Sequence, residues 1–332
     1  MKAAFITSTG SADCIQFGDL PLPIAGEGQV LIRTEAVAVN PIDTYIRAGN
    51  VKFTLPNPYV IGCDVAGIVE ATGPGVHRLK PGDRVWGSNQ GLFGRQGTFA
   101  EYCAIDEKWL YPIPDGIHSE VAAAGALVGI TAHLGLFLHG GLKTGEVVFV
   151  NGGTGGVGSA VVQLAVAAGA IVITSAGSRA KAEACRRTGA SHVVEYRTQD
   201  VDQRFAEIVA MTGPIHLWFE TLRTPSLDRC IPLMAMRGRL IFMAGRDAKP
   251  VFPLGPFYVN DLRAFGFAMF NASPDEQRMA AEELNRMLAD GSYRPGIGAQ
   301  FSLCDAAESH RLQEDNTLKG AGTLSGKIIL RP

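Results

Sequence analysis

The sequence predicts an α/β protein built from a β-rich part, of small-barrel or sandwich type, and a doubly wound parallel sheet. Three observations predict it. Over the first ~115 residues, short strand-like runs alternate with turn signals. Near residue 120 the rhythm changes to strand–helix alternation. At Asn151–Gly158 a glycine-rich turn directly follows a continuous apolar run and opens a helical stretch. A length of 332 residues is about twice a common domain size, so two domains are expected.

Taken in order, Gln29–Ala38 partly alternates apolar and polar residues, as a half-buried strand does. Asp64–Ala71 and Asp83–Trp86 are similar short runs. Pro23, Gly73-Pro74-Gly75 and Pro81-Gly82-Asp83 punctuate them. Val147–Val150 is apolar throughout, as a strand covered on both faces requires. A helical stretch follows at Val157–Ala168, then a strand at Ile171–Thr174 and a helix at Arg179–Thr188 ending at Gly189. His192–Tyr196, His216–Phe219 and Arg239–Ala244 are further strands. Ser273 and Glu276 fit a capping box with Pro274 at the first helical position. Ala280, Leu284, Met287 and Leu288 then share a face, and Gly291 stops the helix. The tail, Gln300–Leu330, returns to short strand-like runs.

Apolar residues make up 46% of the chain and charged residues 19%, which excludes global disorder. A formal charge of −2 gives no basic excess for nucleic acid or an anionic membrane surface. The 40 glycines have no period, so their meaning is turns and close backbone approaches. The six cysteines form no CxxC pair and no dense disulfide framework. The longest apolar stretch, Val121–Leu138, is interrupted by Gly125, Gly129, Thr131, His133 and Gly135, which argues against a membrane span. The expectation is a soluble, cytoplasmic protein with no nucleic-acid or membrane partner.

The glycine turn carries the chemistry. Gly153, Gly155 and Gly158 fit GxGxxG in the strand–turn–helix context that a dinucleotide site demands. Missing side chains there let the backbone from Gly153 through Gly155, Gly156, Val157 and Gly158 approach a pyrophosphate at a helix N-terminus. A site for NAD usually places Asp or Glu about 20 residues on, for the ribose hydroxyls. Here no acid precedes Glu183, and the segment holds Ser175, Ser178, Arg179 and Lys181 instead. Hydroxyls and cations suit a 2′-phosphate, so the expected cofactor is NADPH.

Five segments then carry a resemblance: Val39–Gly49 (VNPIDTYIRAG), Gly62–Glu70 (GCDVAGIVE), Lys80–Val85, Gly152–Gly158 and Gly326–Leu330. In order and spacing the chain resembles the zinc-independent quinone oxidoreductases, zeta-crystallin type, of the medium-chain dehydrogenase/reductase superfamily. The first segment is the specific one. The resemblance implies a GroES-like β-barrel catalytic domain over residues 1–120 and 293–332, and a Rossmann NADPH-binding domain over 121–292. It implies a cleft between them with nicotinamide at its floor. It assigns Asn40, Asp43 and Tyr45 to the active site. Asn40 is expected to hydrogen-bond substrate or cofactor. Tyr45 either hydrogen-bonds the acceptor oxygen or relays a proton through water, and Asp43 either orients its neighbours or serves as a local turn contact. To the cofactor the resemblance assigns Thr131, Tyr196, Ala244, Gly245, Arg246, Phe270 and Asn271.

Zinc-dependent relatives hold a catalytic zinc by a cysteine and a GHE-like histidine. The matching positions here are Asn40 and Gly62-Cys63-Asp64, and the structural four-cysteine lobe is missing, so no metal is expected. One departure is Asn316, where some bacterial members carry an arginine near the cofactor. The leading reading is NADPH-dependent reduction of a small-molecule quinone. The alternative is reduction of the activated double bond of an alkenal or enone. A binding protein of RNA-binding or crystallin-like type and a zinc alcohol dehydrogenase rank lower. A homodimer is expected through the apolar run Ala264–Phe270, read as an edge strand.

Overall fold

Apolar and β-branched runs bounded by glycine and proline form the strands of the computed structural model, which describes residues 1–51 and 54–332. They are β1 Lys2–Ile6, β2 Gln16–Asp19, β3 Gln29–Val39, β4 Tyr59–Val60, β5 Asp64–Thr72, β6 Arg84–Gly87, β7 Tyr102–Asp106, β8 Leu110–Pro112, β9 Val147–Asn151, β10 Ile171–Ala176, β11 His192–Glu195, β12 Ile215–Glu220, β13 Met234–Phe242, β14 Arg263–Gly266, β15 Ile297–Ser302 and β16 Lys327–Arg331. The helices are α1 Pro41–Arg47, α2 Ser119–His133, α3 Gly156–Ala167, α4 Arg179–Arg187, α5 Val201–Thr212, α6 Leu227–Cys230, α7 Leu254–Val259, α8 Pro274–Asp290 and α9 Ala306–Thr317. The chain divides into two units, one of Met1–Leu127 with Ser273–Pro332 and one of Val128–Ala272.

The first unit is β-rich. Its larger sheet runs β15-β16-β3-β5-β6-β8, with β7 also pairing β3, and a small sheet runs β2-β1-β4. The 11-residue β3 organises it. Its first half pairs β7 and its last three residues pair β16, while β5 runs antiparallel along its length. Register shifts at Leu31/Ile32 and Thr34/Ala36 bend the strand between these partners. Ala36, Val37, Ala38 and Val39 are wholly buried, so β3 delivers the next residue, Asn40, into the interior.

The second unit is one parallel sheet of order β11-β10-β9-β12-β13-β14. This is the doubly wound order, reversing direction between β9 and β12. Phe149 of β9 and Trp218 of β12 pack with centroids 4.1 Å apart and ring planes tilted by 42°, and Phe205 of α5 closes on both. Val147, Ile173, Ile215 and Leu240 complete that core. Each large apolar side chain buried this way contributes roughly 1.5–3 kcal/mol.

The units divide at 127/128 and 272/273, where the sequence reading placed the boundaries at 120/121 and 292/293. Helix α8 accounts for the second difference. Its Asn285 accepts from Trp86 Nε1 at 2.9 Å and donates to the Pro112 carbonyl at 2.8 Å, so it belongs with the β-rich unit. The tail also contains a helix, α9, between β15 and β16, where only strand-like runs were expected. Helix α2 continues through a π-helical turn to His139, and this stretch is long and apolar enough to cross a membrane. Its most apolar portion is 78% buried inside the protein, as a core helix is.

Candidate functional site

In the parallel sheet every strand ends on the same edge, so residues following those ends gather there. Gly153–Gly158 follow β9, and Ser178, Arg179 and Lys181 follow β10. Tyr196 follows β11, Ala244–Arg246 follow β13, and Phe270 and Asn271 follow β14. Ligands of doubly wound sheets bind outside this carboxyl edge, at the switch point. Two of the expected cofactor residues are exceptions, Ser175, which lies within β10, and Thr131. Thr131 lies in α2, 2% exposed, and follows no strand of the sheet.

Within the turn the three motif glycines have different reasons. A Cβ on Gly153 would lie 2.2 Å from Thr174 Oγ1, and one on Gly158 would lie 2.0 Å from the Gly152 carbonyl. Packing of the turn itself therefore demands both. A Cβ on Gly155 would meet nothing closer than the Gly152 oxygen at 3.6 Å. Its backbone, at φ −69° and ψ 166°, suits any residue. The fold leaves room at Gly155, beside the first N–H groups of α3, those of Gly156 and Val157. These groups have no intrahelical acceptor.

Ser175, expected on the phosphate, ends up beneath the turn. It is 5% exposed, donates to Asn151 Oδ1 at 2.7 Å and accepts from the Gly152 N–H at 2.9 Å. Ser178 caps α4 by accepting the Lys181 N–H at 3.3 Å. Arg179 is almost fully exposed, with Glu183 3.4 Å away. The Tyr196 phenol crosses Gly177, where a Cβ would sit 2.5 Å from Oη, and Arg197 Nε lies 3.6 Å from the same point. Ser178, Arg179, Tyr196 and Arg197 thus border one turn. Sequence reasoning missed Arg197, although a cation directly after Tyr196 was its signal.

The other unit holds a buried polar cluster where β3 meets α1. Asn40 is fully buried. Its Nδ2 donates to Asp64 Oδ2 at 2.8 Å and to the Ala38 carbonyl at 3.3 Å, and its Oδ1 accepts from Lys327 Nζ. Lys327, the first residue of β16, also donates to the Val39 carbonyl at 2.7 Å. Asp43 Oδ2 accepts the Asn40 N–H at 2.8 Å and fixes the first turn of α1, and the Cys63 thiol lies beside it. Burial lifts the Asp43 carboxyl from its ordinary 3.8 to about 7. It also raises Asp64 and the Cys63 thiol and lowers the Lys327 ammonium. Tyr45, on the same helix, is half-buried. Asp64 and Lys327 sit in segments that carried the resemblance, but no residue pattern assigned them a role.

Residues 26–115 match the alcohol dehydrogenase GroES-like domain family, and residues 156–286 match the zinc-binding dehydrogenase family. A human quinone oxidoreductase is 30% identical over 331 residues, covering 99% of this chain and 97% of its own. The chain belongs to the quinone oxidoreductase family. A pig member is 32% identical over 338 residues, with 99% and 97% coverage. Among solved structures, a mycobacterial protein complexed with NADPH superposes over 100% of both chains with a TM-score of 0.85 and 31% identity. The family's medium-chain dehydrogenase/reductase fold, a GroES-like part and a Rossmann sheet, is the architecture described above.

Proposed function

We propose that the chain is a cytoplasmic, zinc-independent NADPH:quinone oxidoreductase. The observation that carries the reading is the glycine turn, where packing requires Gly153 and Gly158 but leaves Gly155 open at a helix N-terminus. An open backbone position with N–H donors suits a pyrophosphate. Ser178, Arg179, Lys181 and Tyr196, with no acid before Glu183, favour the 2′-phosphate of NADPH over the bare ribose of NADH. Ala244–Arg246, Phe270 and Asn271, on the same sheet edge, are assigned to the rest of the dinucleotide, and Thr131 to the nicotinamide end. Family membership supplies the acceptor class.

The balanced reaction is NADPH + H⁺ + quinone → NADP⁺ + hydroquinone. The bound nicotinamide supplies the hydride equivalent. The protein orients both partners, and Tyr45 Oη hydrogen-bonds the acceptor oxygen as it gains negative charge. Asn40 spends its amide on Asp64, Ala38 and Lys327, so we assign Asn40 and Asp43 to holding the β3–α1 corner that carries Tyr45.

The residues present do not fit a catalytic zinc. Among the described residues no three His, Cys, Asp or Glu side chains gather as ligands. Asn40 offers an amide already engaged by the Lys327 ammonium, and burial keeps the Cys63 thiol protonated. A zinc site needs three deprotonated protein ligands around an open position. The edge strand β14 is assigned to a homodimer contact.

The test is steady-state oxidation of NADPH and of NADH with a simple quinone after EDTA treatment. Fast NADPH turnover with little NADH turnover supports the reading. Dinucleotide binding without quinone turnover, but with turnover of an enone, would replace it by double-bond reduction.

A further inference from the structure

A polar chain runs beneath the glycine turn, and its far end is a buried carboxylate that the reaction does not use. Glu220 is the last residue of β12, 2% exposed, directly across the switch point from β9. Three donors converge on it. Asn151 Nδ2 reaches both oxygens at 3.0 Å, the Leu222 N–H reaches Oε1 at 2.8 Å, and Trp218 Nε1 reaches Oε2 at 3.2 Å. Trp218 itself packs against Phe149, with ring centroids 4.1 Å apart.

Burial raises the Glu220 carboxyl and the bonds from Asn151, Leu222 and Trp218 oppose that; with donors on both oxygens, Glu220 serves here as an acceptor. Facing Glu220, Asn151 must present its NH₂ there and its Oδ1 to Ser175. Ser175 must then give its proton to Asn151 and its lone pair to the Gly152 N–H. Each link has one orientation, and the last one holds the backbone where the turn begins. Thr221 Oγ1 adds a second tie by donating to the Asn151 carbonyl.

We propose that Glu220 is a positioning residue for dinucleotide binding, fixing through Asn151 and Ser175 the backbone of the glycine turn. This rests on the reading that the turn holds the NADPH pyrophosphate. A glutamine at 220 would turn one acceptor into a donor facing Asn151 or Trp218. Asn151 would flip to meet it, and Ser175 would lose its acceptor. The turn would loosen without any change at the residues around Ser178.

That locates the effect. Glu220→Gln should weaken NADPH and NADH by the same factor, roughly tenfold, because both share the pyrophosphate. The preference between them should stay as in the wild type, and the quinone KM at saturating cofactor should not move. Ser175→Ala breaks the chain at its last link and should give a similar loss. The double variant should be no worse than the weaker-binding single, since both act through one chain.

The experiment is a fluorescence titration of NADPH and NADH into wild type, E220Q, S175A and E220Q/S175A, each checked for folding by circular dichroism. Equal losses for both dinucleotides with non-additive singles are expected. Additive losses, a changed NADPH/NADH preference, or unaltered binding by the folded variants would each overturn the proposal while leaving the cofactor reading intact. Should E220Q fail to fold, S175A alone decides, and unchanged binding by it overturns the proposal. Absence of dinucleotide binding by the wild type would overturn both.

Discussion

Replacing Asp43 by asparagine should make the protein more stable above neutral pH and barely change it in acid. One Asp43 oxygen accepts the Asn40 N–H, and the other meets no N–H or O–H donor among the described residues. The carboxyl is wholly buried, faces Asp64 and Lys327, and abuts Cys63. Moving it from an ordinary 3.8 to about 7 makes the ionised form cost about 4 kcal/mol once the pH exceeds both values. Between those values the folded protein keeps a proton that the unfolded chain has lost. Stability therefore falls as pH rises through that window, by about 1.4 kcal/mol per pH unit, and levels off above it. Asparagine keeps an acceptor for the Asn40 N–H and never ionises. From pH 5 to pH 8, Asp43→Asn should therefore gain about 3 kcal/mol on the wild type. Urea unfolding of both proteins across that range measures it. The comparison cancels groups that titrate the other way, such as Glu146, held low by Arg239. A difference that stays constant from pH 5 to 8 would refute the argument.

Three further outcomes are expected. Lys327→Met leaves the buried Asn40 Oδ1 without its donor and removes the ammonium whose charge acts on Asp43 and Asp64, and should cost about 3–5 kcal/mol by calorimetry, part of it recovered by adding Asp64→Asn. Gly155→Ala should fold normally yet bind NADPH at least tenfold more weakly, whereas Gly153→Ala, forced against Thr174, should lose about 1–3 kcal/mol of stability. Arg179→Ala with Lys181→Ala should lower the NADPH/NADH preference several-fold in kcat/KM, since each exposed contact to the phosphate is worth about 0.5 kcal/mol.

Local signals made part of this fold legible. The apolar run before the glycine turn became β9, and the capping box at Ser273 formed in full, with Ser273 N to Glu276 Oε2 at 2.7 Å and the return bond at 3.2 Å. Gly291 stops that helix in the left-handed region at φ 78°. The same signals say nothing about which unit a helix packs with, and only the Asn285 bonds to Trp86 and Pro112 show α8 lying on the β-rich unit. Helix α9 escaped notice because it buries Ser309, His310 and Gln313, which leaves no apolar stripe to read, and its Asp305 makes no side-chain cap. The chemistry divides in the same way. The glycine spacing is local and was read directly. The Asn40–Asp64–Lys327 and Asn151–Ser175–Glu220 networks join residues brought together only by sheet pairing, with Asn40 and Lys327 287 positions apart. Ser175 shows the cost of reading a hydroxyl by position alone, since its bonds run inward, to Asn151 and Gly152.

Lys327 reaches Asn40 from the last strand of a unit whose first strands are made some three hundred residues earlier. During synthesis the parallel sheet, Val128–Ala272, is continuous and is free to fold as soon as it emerges from the ribosome. The β-rich unit has no such freedom. Until β16 arrives, the end of β3 lacks its neighbour, Asn40 Oδ1 lacks its donor, and Asp43 and Asp64 lack the nearby ammonium. Completion of the sheet begun by the N-terminal segment therefore depends on the last strand in sequence, whereas the middle of the chain holds every strand of its own sheet.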